Sequence, residues 1–119
     1  MLEYTKFVKS GDFRAVQSTK GVGEGKASAE SVEKIKSAIN IYEEIYKTDP
    51  GFLMCRIKLA VAYAEYANAT NDANSIKKAK DFYNSVANDI GTRLRSSMST
   101  TEIFQWNALA DLMNNYGYI

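Results

Sequence analysis

The chain has 119 residues, 45% of them apolar and 24% charged, a composition that suits one soluble globular domain with a core of its own. A net charge of +1 supplies no field to draw in nucleic acid or an anionic membrane, and a single cysteine, Cys55, allows no internal disulfide. Histidine is absent, which removes the usual general base, the commonest zinc ligand and every serine–histidine or cysteine–histidine nucleophile pair.

Residues 1–27 read as a segment separate from a helical domain over 28–119. Glu3 to Lys9 and Phe13 to Thr19 are rich in β-branched and aromatic residues, and Ser10-Gly11-Asp12 between them suits a hairpin turn. A short helix over Leu2 to Lys9 is slightly preferred, because an isolated hairpin is weak unless it packs on something. No apolar run reaches the length of a membrane span, and Met1-Leu2-Glu3-Tyr4 does not begin a signal peptide. The default expectation is a cytoplasmic protein, with an exported mature fragment left open.

Lys20 to Ser28, K-G-V-G-E-G-K-A-S, has three glycines close together, which raises the question of phosphate binding. A phosphate-cradling loop needs a glycine five residues before the Gly-Lys pair and a hydroxyl directly after it. Lys20 and Ala27 stand at those two positions, and Glu24 would repel a phosphate. The stretch reads as a hinge leading to a helix capped by Ser28, and no cofactor is expected.

From Ser28 onward the apolar residues follow helical spacing. Val32, Ile35, Ile39, Tyr42 and Tyr46 form one stripe, with Ala38, Ile41 and Ile45 beside it, so this helix is expected to pack on two sides. Pro50 stops it. A second helix is expected over Phe52 to Asn68, carrying Leu53, Ile57, Ala60, Ala64 and Ala67, with Leu59, Tyr63 and Tyr66 widening the stripe. Thr70 to Asn74 reads as a polar turn. The third helix carries Ile76, Ala79, Tyr83, Val86 and Ile90 and is expected to close at Gly91. Ser99-Thr100-Thr101-Glu102 has capping-box spacing and opens a fourth helix through Ile103, Trp106, Leu109, Ala110 and Met113.

Two stretches repeat one another. Ala38 to Ile45 lines up with Ala79 to Val86, and Pro50 then aligns with Gly91. The pattern of Ala38, Tyr42 and Pro50 resembles the second helix of a tetratricopeptide repeat. Trp106, Leu109 and Ala110 resemble the first helix of such a unit, with Met113 where tyrosine is usual. Leu59, Ala60 and Tyr63 match the same pattern, with Arg56 in the tryptophan position. The resemblance covers residues 29 to 116. It departs from the family at the Asn68 to Ser75 turn, where the unit is about seven residues too long, and at the long Thr92 to Thr101 connection.

The resemblance implies an all-α fold of antiparallel helix pairs stacked as a short array, acting as a protein-interaction or assembly module and not as an enzyme. It also implies a groove where a peptide or protein surface would bind. The corresponding residues are Met54, Ile57, Val61 and Glu65 on the second helix, with Ala64 among them, and Asn107, Asp111, Asn114 and Asn115 on the fourth. The second-helix set is mainly apolar and should not face water bare, so a partner or the chain's own first 20 residues should cover it. The alternative is a structural subunit of a homo-oligomer or filament that associates through these faces.

Elsewhere the chemistry is sparse. The carboxylates Glu43, Glu44, Asp49, Asp72, Asp81, Asp89 and Asp111 are scattered, with no transition-metal donor cluster and no calcium-loop spacing, so no metal is expected. Lys77, Lys78, Lys80, Arg93 and Arg95 form a mild basic patch without interleaved aromatics, which reads as a solvated face. Cys55 is expected at a helix interface with nothing to activate it.

Overall fold

The computed structural model describes residues 28–94 and 97–119. The choice between helix and hairpin near the N-terminus, the glycine hinge and coverage of the groove by the first 20 residues all lie outside that range. The described residues form four α-helices and contain no strand.

Helix α1 (Ala29–Thr48) starts where the sequence places it. The Ser28 hydroxyl accepts the Ser31 amide at 3.1 Å, and Glu30 sits in the positive first turn. It ends two residues before Pro50, with the Asp49 amide bonded to the Ile45 carbonyl at 2.9 Å. Ile35, Ala38 and Tyr42 are buried, whereas Ile41 is 38% exposed. The two-sided packing expected from the second stripe is therefore incomplete: α1 lies on α2 and leaves part of that stripe at the surface.

Helix α2 (Leu53–Thr70) is the hub. Twelve of its 18 residues are buried, and α1, α3 and α4 all pack against it. Its alanines explain how so many neighbours fit, because Ala60, Ala62, Ala64 and Ala67 let other helices approach the backbone closely. An apolar helix of this kind is stable only when covered all round.

The polar turn expected over Thr70 to Asn74 shrinks to two residues. Asn71 takes the left-handed conformation at φ 62°, its amide closing onto the Ala67 carbonyl at 2.6 Å. Asparagine tolerates this region, so the chain reverses at once and the remaining turn residues join the helices. Helix α3 (Ala73–Asp89) then runs antiparallel to α2. Contacts pair Tyr63 with Phe82 near the reversal and Arg56 with Ser85 and Asp89 at the far end.

Gly91 does not close α3. The helix widens into a π-helical turn, Ile90–Leu94, and the Thr92 hydroxyl binds the Asp89 carbonyl at 3.2 Å. A stop by glycine needs positive φ, and Gly117 alone among the described glycines has it.

Helix α4 (Thr100–Asn115) opens with both bonds of the capping box. The Glu102 amide reaches the Ser99 hydroxyl at 3.1 Å, and the Ser99 amide reaches the Glu102 carboxylate at 2.8 Å. Lys58 meets Gln105 and Glu65 meets Tyr116, so α4 runs in the same direction as α2. Leu109, Leu112 and Met113 complete the core. No described helix is long and apolar enough to cross a membrane.

Candidate functional site

Helix α4 has two faces of opposite character. Its inner face places Leu109, Leu112 and Met113 in the core, and Trp106 stacks on Tyr83 of α3 with ring centroids 4.9 Å apart. Its outer face carries Phe104, Asn107, Asp111, Asn114 and Asn115, all exposed. Spacings of three and four residues put them along one side of the helix. Phe104 is 65% exposed, the most exposed of the large apolar residues described, and its neighbour Ile103 is 43% exposed. From Ser97 to Ile119 there is no lysine or arginine, so Asp111 and Glu102 leave this surface mildly acidic.

The sequence places Asn107, Asp111, Asn114 and Asn115 on this face but passes over Phe104. A signal for it was present. Aligning Leu59-Ala60 of α2 with Leu109-Ala110 of α4 pairs Ile57 with Asn107, Val61 with Asp111, Glu65 with Asn115, and Met54 with Phe104.

The α2 half of the expected groove lies elsewhere. Ile57, Val61 and Glu65 are buried, and Met54 is half-buried. The structure packs α2 on α4 without gathering the two sets into one open surface: the α4 residues point to solvent, and three of the four α2 residues are inside the helix pack.

Glu65 is the unusual member. It is completely buried, and it accepts a hydrogen bond from the Tyr116 hydroxyl at 2.7 Å. Burial, and then the Glu65 charge, push the Tyr116 phenol far above its ordinary range, and the same two causes raise Tyr118. The phenol therefore stays protonated and able to donate.

The α2–α3 side is held by different polar contacts. Buried Arg56 pairs with Asp89 at 2.6 Å and donates to the Ser85 hydroxyl at 2.9 Å. The buried guanidinium thus anchors the end of α3 on α2. Tyr63 donates to the Glu43 carboxylate and lies 5.3 Å beneath the Lys78 ammonium. Burial and that bond raise its phenol as well.

Little chemistry is available beyond these contacts. The Cys55 thiol is buried, bonds the Tyr42 carbonyl at 3.3 Å and is pushed up to about 11 by burial, which suppresses the thiolate. Of the basic patch, Lys77, Lys78 and Lys80 are exposed on α3, and Lys77 pairs with Asp81 at 3.1 Å. The side chains of Arg93 and Arg95 lie outside what the structure describes. No group of three or more acidic or cysteine side chains among the described residues could hold a metal ion. Comparison with protein-family models, curated proteins and solved structures gave no match.

Proposed function

We propose that the chain is a protein-interaction module, built as a short tetratricopeptide-like array, whose contact surface is the outer face of α4. The observation that carries this reading is Phe104. A mostly exposed aromatic ring on a well-capped, well-packed helix, in line with Asn107, Asp111 and Asn114, combines one apolar anchor with side chains that hydrogen-bond a peptide or protein surface. The array reading is supported by the antiparallel α2–α3 pair, the short reversal at Asn71-Asp72, and the parallel course of α2 and α4.

Position-specific crosslinking tests the surface. A photo-reactive benzoylphenylalanine replacing Phe104 should give a discrete adduct in cells. The same probe replacing Asn40, exposed on α1, should give none. Substituting Asn107→Ala together with Asp111→Ala should weaken the adduct from position 104. Equal adduct patterns from positions 104 and 40 would count against the reading. An adduct of twice the chain's own mass would turn it into self-association through the same face.

A further inference from the structure

We infer that the C-terminal residues 116–119 form a clasp, closed by the Tyr116–Glu65 hydrogen bond, which fixes the register of α4 on α2 and opens as a unit separate from the α1–α2 core.

The clasp begins as a backbone device. Gly117, at φ +78°, lets the chain fold back on the last turn of α4. Its amide bonds the Asn114 carbonyl at 3.0 Å, and the next amide, of Tyr118, bonds the Met113 carbonyl at 2.8 Å. This pair of bonds is a Schellman motif, which defines the helix end and the directions of the residues around it. Tyr116 is directed onto α2 and Tyr118 folds beside it, the two rings edge to face with centroids 5.7 Å apart. Both rings pack partly against the core.

The acceptor is what makes this more than an ordinary helix end. Glu65 lies at 0% exposure in the most apolar of the described helices. Burying a carboxylate costs free energy unless its oxygens are bonded, and an apolar side chain of similar volume is often as stable or more so. What a buried polar pair adds is a single permitted arrangement. An α4 turned by one residue could still bury leucines, but it would remove the phenol from Glu65. The clasp therefore decides which side of α4 faces outward. The attachment is also local: the amides of Tyr116, Gly117 and Tyr118 bond carbonyls of α4, and the Tyr116 hydroxyl reaches α2 at Glu65.

Amide hydrogen exchange on the full chain tests this. In Tyr116→Phe, exchange at the amides of Tyr116, Gly117 and Tyr118 should rise about tenfold, the equivalent of one lost hydrogen bond. The amides of Ala38, Tyr42 and Leu59 should stay within about twofold of the parent. Glu65→Leu is the sharper variant, because it should leave the urea midpoint unchanged or higher while still loosening the tail. Tail exchange unchanged in both variants would overturn the inference. So would a rise by one common factor at every protected amide, which would mean that the pair contributes only to global stability.

Discussion

Helices α2 and α4 share an inward stripe, Leu59-Ala60 with Tyr63 in one and Leu109-Ala110 with Met113 in the other, yet they occupy opposite situations. α2 is buried nearly all round, and α4 is buried on one side. The difference lies in the residues that the stripe leaves over. Ile57, Val61 and Ala64 must be covered, whereas Asn107, Asp111 and Asn114 at the corresponding positions need water or a polar partner. A helix's matching stripe says that it packs; its opposite face says where in the stack it can stand.

Substitutions at corresponding positions should break this comparison most visibly. Ile57→Asp places an unpaired carboxylate in the core and should cost about 4 kcal/mol or more, enough to threaten folding. Asn107→Asp, at the matching place on α4, should change stability by no more than about 0.5 kcal/mol in urea denaturation. Near-equal effects would mean that the two faces are not in different environments.

Tyr42→Ala removes a buried ring where α1 meets α2 and should cost about 3 kcal/mol. Gly117→Ala has room for its methyl group but must adopt positive φ, at a cost of about 1 kcal/mol. Ser99→Ala, which removes one bond of the capping box on α4, should cost about 1 kcal/mol.

The pH dependence should be the smallest effect near neutrality and should grow with alkali. Burial raises Cys55 from 9.0 to about 11, and Tyr63, Tyr116 and Tyr118 are raised too. In that range the unfolded chain gives up protons that the folded chain keeps, so the folded state binds more protons and stability falls as pH rises. The contribution of Cys55 is intact below pH 9.0 and lost progressively up to about 11. Cys55→Ala should flatten that part of the stability profile while leaving the tyrosine-dependent fall.

The local features of the fold were legible because they depend on neighbouring residues. The Ser28 cap, the stop before Pro50 and the Ser99–Glu102 capping box each follow from a few adjacent side chains, and the structure has all three. Gly91 misled because glycine permits a left-handed stop without requiring one, and the chain continues as a π-helical turn. The Thr70 to Asn74 turn was too long on paper because Asn71 alone reverses the chain.

The candidate surface divides in the same way. The polar residues of α4 declared their exposure by their own chemistry. Ile57 and Val61 fit either a groove or a core, and periodicity cannot separate the two. Glu65 was expected in the groove but is buried, and its donor, Tyr116, is distant in sequence with no spacing rule to connect them.

Thiol labelling tests the central contrast between α2 and α4 most directly. In a Cys55→Ala background, Asn107→Cys and Ile57→Cys place a thiol at corresponding positions of the two helices. Asn107→Cys should react at the rate of a free thiol, and Ile57→Cys about a thousandfold more slowly, limited by opening of the fold. Labelling of both thiols at the same rate in the folded protein would contradict the account.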